Sequence, residues 1–321
     1  MSIAAYIREI GRGKAGARSL NTLQAHDLMS QVLDGRVTDL EIGAFALAMR
    51  IKGESIDELT GFLEAVRERC MPVRPRRPVV VLPSYNGARK LPNLTPLLAL
   101  LLAQEDVPVL VHGPVHDPAR VTTAEIFHDL GLPVVHDAAD FDTAFEAAWS
   151  RREPVFVPID VLCPPLARLL HVRRVVGVRN SGHTVAKLLD PCRGVPSLRV
   201  CNYTHPEYGE LLMQFLQGIS ANALLMRGTE GEPVADPRRV PRMELLLGGR
   251  ASPSLAVAAH DGVLTELPVL PRQNDAATTA VYIQSVVSGE KPAPAPLMQQ
   301  CELLRRALDS LDEEAPREAT A

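Results

Sequence analysis

Long apolar runs and a secretory signal are absent from this sequence of 321 residues. No stretch is long enough to span a bilayer, and residues 1–17 contain Arg, Glu and Gly where a signal peptide needs an apolar core. We therefore expect a cytoplasmic protein without a membrane partner. Paired cysteines are also missing. The five cysteines show no Cys-x-x-Cys spacing, which favours reduced thiols over a disulfide or a metal site.

An overall excess of basic charge is absent as well, because the formal net charge is −4. This value argues against a protein that is basic over its whole surface. The charge is unevenly distributed, however. Residues 168–199 contain seven Lys and Arg residues against the single acid Asp190. This segment is a candidate for a local anion-binding patch. The hydrophobic content of 46% is typical of a globular α/β protein.

The first 72 residues have the pattern of short amphipathic helices. Thr38 precedes Glu41 by three positions, and Ser55 precedes Glu58 by three, so each pair predicts a capping box at a helix start. We expect residues 1–75 to form a helical bundle that serves as a dimerisation lobe, joined by a helical insert at about 160–195. The Pro-rich segment Met71–Pro78 separates this bundle from the rest of the chain.

Beyond the linker, apolar runs rich in valine alternate with helical segments, which predicts a mainly parallel sheet wound with helices. The α/β lobe should span residues 76–321. Predicted helices cover 93–103, 124–130 and 141–150, and the predicted strands are 79–82, 107–111, 134–136, 155–158, 198–202 and 223–226.

Polar turns follow the first two predicted strands. Because parallel strands end at one edge of a sheet, these turns should lie side by side and form a pocket for a sugar or a phosphate. The candidate pocket residues are Tyr85, Asn86, Gly87, Asn93, Thr95, His112, Gly113, Thr122 and Thr123.

The order of these parts resembles the anthranilate phosphoribosyltransferase-like proteins, whose glycosyl transferase family 3 fold is shared with pyrimidine nucleoside phosphorylases. The variants found here look closest to the YbiB-type branch. That resemblance implies a homodimer that binds DNA or RNA without regard to sequence. It also implies a degenerate transferase scaffold.

The sequence departs from the family's enzyme motifs at each ligand site. The diphosphate turn Gly-Thr-Gly-Gly-Asp is replaced by residues 84–88, Ser-Tyr-Asn-Gly-Ala, and Lys-His-Gly-Asn by residues 111–114, Val-His-Gly-Pro. The enzymes' magnesium-binding Asp-Glu pair should follow Gly231, where Glu230 and Glu232 are the nearby acids. We therefore expect no anthranilate phosphoribosyltransferase activity, no catalytic residue and no cofactor.

Two functions follow from these observations. The first is nucleic-acid binding, with phosphates held by Arg89, Lys90, Arg120, Arg173, Arg174, Arg179, Lys187 and Arg193. The alternative is a transferase or nucleoside phosphorylase with an altered substrate, which would use the polar pocket together with magnesium at Glu230 and Glu232. A sensor of a small ligand or a purely structural dimer is a third possibility.

Overall fold

The structure is a computed structural model that describes residues 2–13 and 15–314. Contacts divide the chain into two compact units. One unit runs to Met71 and resumes over Ile159–Pro191, and the other comprises Pro72–Pro158 and the chain from Cys192 onward. Among the described residues, no helix has the length and apolar character needed to cross a membrane.

The first unit is helical, and helices and strands are numbered here along the whole chain. Its helices are α1 (Ala4–Ile10), α2 (Thr22–Leu33), α3 (Asp39–Lys52), α4 (Ile56–Arg67), α8 (Ile159–Leu162), α9 (Pro164–His171), α10 (Arg173–Val176) and α11 (Ser181–Ala186). The predicted capping boxes at Thr38 and Ser55 are confirmed at the starts of α3 and α4. Phe45 and Phe62, both fully buried, pack edge to face in the core of this unit.

The second unit is built on a seven-stranded sheet. Its strands are β1 (Val79–Pro83), β2 (Val109–Gly113), β3 (Val155–Pro158), β4 (Ser197–Tyr203), β5 (Ala223–Arg227), β6 (Met243–Leu247) and β7 (Arg250–Ala251). The order is β3-β2-β1-β4-β5-β6-β7, with β1 to β5 parallel and β6 and β7 antiparallel. A helical unit together with a mainly parallel α/β unit confirms the predicted fold class.

Helices cover this sheet and build its core. They are α5 (Thr95–Gln104), α6 (Thr123–Leu130), α7 (Phe141–Ser150), α12 (Pro206–Gly218), α13 (Ala276–Val287) and α14 (Ala295–Glu314), with short 3-10 turns at Ala138–Asp140 and Pro253–Leu255. Alternate residues of β1, Val80 and Leu82, belong to one apolar cluster with Leu98 of α5 and Leu304 of α14. Strands β1, β2 and β3 are buried throughout because helices cover them, and this explains why they read as continuous apolar runs.

One predicted strand, residues 134–136, is wrong. Val134 makes only an isolated bridge to Phe156, so this segment passes beside β3 without extending the sheet. The sequence interpretation also assigned no strand to residues 243–247, which form β6. That strand adds to the sheet in the antiparallel sense, outside the alternation of strands and helices on which the prediction depended.

Candidate functional site

The candidate site lies at the carboxyl edge of the parallel sheet, within the second unit. The strand order changes direction between β1 and β4, because β2 and β3 lie on one side of β1 while β4 and β5 lie on the other. Ligands of open α/β sheets bind outside the carboxyl ends of strands at such a switch point. The loop after β1 therefore occupies the position where a ligand of this fold is expected.

The carboxylate of Glu232 binds the backbone at the start of that loop. Glu232 is 1% exposed, and its Oε1 accepts the backbone N–H groups of Asn86 and Gly87, each at 2.6 Å. Its Oε2 accepts the hydroxyl of Ser84 and, at 3.4 Å, that of Thr95. Consecutive backbone N–H groups in a turn form a nest that binds anions. In this protein the anion in the nest is the protein's own side chain.

A chain of hydrogen bonds extends from this carboxylate to other predicted pocket residues. The Ser84 hydroxyl lies 2.7 Å from the hydroxyl of Thr123, which in turn accepts the side-chain N–H of Asn93 at 2.9 Å. Ser84, Asn93 and Thr123 are all at most 4% exposed. The polar groups predicted to face a sugar or a phosphate are therefore paired with one another and buried.

The carboxylate of Glu230 accepts hydrogen bonds from a second set of backbone N–H groups in the same loop. One of its carboxylate oxygens accepts the N–H groups of Arg89, Lys90 and Leu91 at 2.8, 2.9 and 3.2 Å. Burial alone raises the pKa of Glu230, but these three hydrogen bonds and the charge of Arg120 outweigh it, so the pKa lies below its usual range. The side chain is therefore ionised, and its hydrogen bonds hold the backbone of the loop in place.

Two glycines allow the loops to approach one another. Gly87 has a φ of +67°, a left-handed conformation that favours glycine. A Cβ atom at Gly113 would lie 1.9 Å from the carbonyl oxygen of Ser84, so a side chain there would collide with the end of β1. Both predicted pocket glycines are thus explained by backbone conformation and close packing.

Three further predicted pocket residues have partners inside the fold. The hydroxyl of Tyr85 lies 2.7 Å from Nδ1 of His112, the two rings meet edge to face, and Tyr85 is only 6% exposed. Little of the tyrosine ring is therefore accessible for stacking on a base. Thr122 caps α6, where its hydroxyl and backbone N–H both donate to the carboxylate of Glu125.

The two acids do not fit a magnesium site. A cation requires converging oxygens with free lone pairs, whereas the carboxylates of Glu230 and Glu232 each accept several N–H or O–H donors and bind different parts of the loop. Among the residues that the structure describes, no group of three or more His, Cys, Asp or Glu side chains is arranged to hold a metal ion.

The eight predicted phosphate-binding cations divide equally between the two units. The first unit contains Arg173, Arg174, Arg179 and Lys187, of which Arg174 is exposed and the others are half-buried. The second unit contains Arg89, Lys90, Arg120 and Arg193. Arg89 and Lys90 are exposed, while the half-buried Arg120 and Arg193 donate to the carbonyl oxygens of Gly87 and Cys192.

The surroundings of the cations differ between two cavities of the second unit. Arg89 and Arg120 line a cavity of about 1030 Å³, but the same wall contains the acids Asp117, Glu125, Asp129 and Asp275. Lys90 lines a second cavity of about 650 Å³, whose other cations are Arg227, Arg238, Arg239 and Arg242. Electrostatics favour an anion in the second cavity rather than in the first, larger one.

Sequence reasoning missed the roles of Ser84 and Glu232 and the arginines of the second cavity. Ser84 and Glu232 are 148 residues apart, and no local spacing indicates that they meet. Three of the arginines, at positions 238, 239 and 242, lie close together in a Pro-interrupted segment after β5. A search for basic residues beyond the predicted strand 223–226 would have found these arginines, but not that Lys90 of the β1 loop lies on the same cavity wall.

Comparison with known proteins defines the class of this fold. The anthranilate phosphoribosyltransferase of Thermus thermophilus superposes with a TM-score of 0.69 at 21% identity, covering 97% of this chain and 90% of that protein. A sequence profile for the glycosyl transferase family helical bundle domain matches residues 4–70. The chain therefore has an anthranilate phosphoribosyltransferase-like fold with the helical domain of that family.

Sequence relatives assign the chain to a narrower family within this fold. It is 42% identical over 298 residues to the Escherichia coli K12 protein YbiB, covering 92% of this chain and 90% of that protein. It is 25% identical over 288 residues to the anthranilate phosphoribosyltransferase of Methanopyrus kandleri, covering 87% and 83%. The chain belongs to the same family as YbiB, within the proteins of anthranilate phosphoribosyltransferase-like fold.

Proposed function

We propose that this chain binds nucleic acid without sequence preference, as a homodimer, on a transferase scaffold that no longer holds a diphosphate in its β1 loop. One contrast in that loop carries the proposal. The backbone donors of Asn86 and Gly87 are taken by Glu232, while the side chains of Arg89 and Lys90 are exposed. The loop thus presents two cationic side chains to solvent, while its backbone N–H groups bind the carboxylate of Glu232.

The position of these cations suits contact with a phosphate backbone. Glu230 holds the backbone of Arg89 and Lys90, so the two side chains start from a fixed main chain. Fixed cations lose less conformational freedom on binding than those of a mobile loop. Phosphate contacts of this kind carry no sequence information, which is why no base preference is expected.

The test is a titration of a labelled single-stranded oligonucleotide, followed by fluorescence anisotropy at about 50 mM and about 200 mM salt. Wild-type binding should weaken steeply with salt, because several phosphates are neutralised together. A double variant, Arg89→Glu with Lys90→Glu, should bind at least roughly tenfold more weakly and show a shallower salt dependence.

The matched control reverses two other exposed arginines, Arg250→Glu with Arg306→Glu, and should bind like the wild type. Absence of binding at low salt would overturn the proposal, as would equal losses in the two double variants. Loss confined to the Arg89 and Lys90 variant would support it.

The second candidate is a phosphoribosyl or related transferase, and the comparisons by themselves favour it over nucleic-acid binding. Several relatives of this chain are named anthranilate phosphoribosyltransferases. Against it stand the internal carboxylate in the diphosphate position and the poor fit to magnesium. An assay with phosphoribosyl diphosphate, anthranilate and magnesium distinguishes the two. Product formation at a steady rate would favour the transferase, and no product is expected from the first proposal.

The homodimer part of the proposal is supported by an exposed apolar stripe on α3. Leu40, Leu47 and Ile51 are 83%, 46% and 71% exposed, and their spacing places them on one face of the helix. An exposed apolar face of this kind is typical of a protein–protein interaction site. A second copy of the chain is the occupant that the proposal requires.

A further inference from the structure

Two cysteines of the helical unit meet, although they lie far apart in the sequence. Cys70 follows α4, and Cys163 lies between α8 and α9. The backbone N–H of Met71 donates to the carbonyl oxygen of Leu162 at 2.9 Å, so the two chain segments are joined beside the cysteines. The thiol of Cys163 lies 3.9 Å from the carbonyl oxygen of Val66 and is hydrogen-bonded to the thiol of Cys70. Both residues belong to the first unit, and both are free thiols.

The two thiols differ in exposure and in their electrostatic surroundings. Cys70 is 8% exposed and Cys163 is 0% exposed. The hydrogen bond with Cys70 lowers the pKa of Cys163, and the backbone N–H of Leu166 and the charges of Arg69 and Arg168 also lower it, against the opposing effect of burial. The thiolate is the nucleophilic form of cysteine. Cys70 is therefore the sulfur that a small oxidant reaches first, and Cys163 is the nucleophile beside it.

Cys301 shows the opposite environment. It is 4% exposed, and burial raises its pKa to about 12, with the nearby carboxylates of Glu105 and Glu302 acting in the same direction. This thiol is therefore protonated at neutral pH and is a poor nucleophile. Burial alone does not produce the environment of Cys163, which depends on its thiol, amide and arginine neighbours.

We propose that Cys70 and Cys163 form a reversible redox pair that hydrogen peroxide converts into a disulfide. In the first step, peroxide transfers one oxygen atom to the sulfur of Cys70, which gives a sulfenic acid and one water. The sulfur of Cys163 then attacks the sulfenic sulfur. The S–S bond forms as the S–O bond breaks, and the hydroxyl group leaves with the proton of Cys163 as a second water. The two thiols lose two electrons, which reduce the peroxide, and a thiol reductant reverses the change.

The disulfide would join the two segments that build the helical unit. The chain passes into the second unit at Pro72 and returns at Ile159, so the cross-link closes a loop that contains β1, β2 and β3. A cross-link of this kind restricts the unfolded chain and should stabilise the oxidised protein. The inference goes beyond the proposed function, because the thiols can react whether or not the protein binds nucleic acid.

Peptide mapping of the folded, full-length protein tests the pair. The protein is treated with hydrogen peroxide, the excess is removed with catalase, free thiols are blocked with N-ethylmaleimide, and the digest is analysed by mass spectrometry. Wild-type protein should yield a peptide that links Cys70 to Cys163 and disappears with dithiothreitol. Its melting temperature should be higher after oxidation. Cys163→Ser should lose both effects, whereas the matched control Cys301→Ala should retain both.

Dimedone, which traps sulfenic acids, tests the order of the two steps. Cys163→Ser should accumulate the dimedone adduct on Cys70, because the attacking sulfur is missing. Cys70→Ser should leave Cys163 unlabelled, because that sulfur is not exposed. Absence of the linked peptide from the wild type would overturn the redox pair, as would equal yields of links from these two cysteines to other cysteines. Labelling of Cys163 in Cys70→Ser would overturn the assigned order.

Discussion

The carboxylate of Glu232 accepts the backbone N–H of Gly87 at 2.6 Å, although 145 residues separate the two in the sequence. This contact joins the turn after β5 to the turn after β1 across the switch point of the sheet. The backbone donors of a phosphate-type nest are thereby satisfied without a ligand.

Removing the Glu232 carboxylate should destabilise the fold. Glu232→Ala leaves the buried N–H groups of Asn86 and Gly87 without an acceptor, at a cost of roughly 2–5 kcal/mol in the free energy of unfolding. Glu232→Gln, which retains one oxygen acceptor, should lose less. Chemical denaturation measures both.

Added pyrophosphate should raise the stability of Glu232→Ala more than that of the wild type, because the vacated nest accepts an anion. Equal stability of Glu232→Ala and wild type would contradict this account.

The helical unit depends on a buried ion pair between Lys52 and Glu58. The two charged atoms lie 2.7 Å apart with side chains 9% and 0% exposed, and Glu58 also accepts the backbone N–H groups of Leu20 and Ser55. Glu58→Ala leaves a buried ammonium with fewer partners and should cost about 3–5 kcal/mol. Urea unfolding measures the loss, and Glu64→Ala, exposed on the same helix, should remain within about 0.5 kcal/mol of the wild type.

Acid should weaken the attachment of the β1 loop through Glu230. Its folded-state pKa lies below the ordinary value of 4.5, so its stabilising contribution is complete above that value and is lost as pH falls through the folded pKa. Glu230→Gln should therefore lower the melting temperature at about pH 7, and the difference from wild type should shrink toward about pH 3. Glu210→Gln, at an exposed position, is the control. A difference that is constant with pH would exclude an ionised Glu230 as its cause.

The apolar stripe on α3 should control oligomeric state. A charge on it opposes burial of the stripe in an interface, so Leu47→Glu with Ile51→Glu should convert a dimer to a monomer in light scattering after size exclusion. Since both side chains are largely or partly exposed in the single chain, the melting temperature of the monomer should change little. A double variant that remains dimeric would place the interface elsewhere.

Sequence patterns predicted much of the fold because the relevant forces are local. The capping boxes at Thr38 and Ser55 depend on residues three positions apart, and the strands β1 and β3 to β5 are short apolar runs. The failed strand at 134–136 and the unpredicted β6 have a different cause. Whether an apolar segment pairs depends on which neighbour has an open edge, and that is a property of the assembled sheet.

The sequence by itself determined the helical and α/β composition of the chain and the polar character of the turns after β1 and β2. Only the tertiary structure decided what those turns hold. Chain topology brings Glu232 to Asn86 and Gly87, and Lys90 to the arginines near β5, although these partners lie far apart in the sequence. The sequence shows which side chains are charged. Which partner each charge contacts depends on where the strands end in the folded sheet.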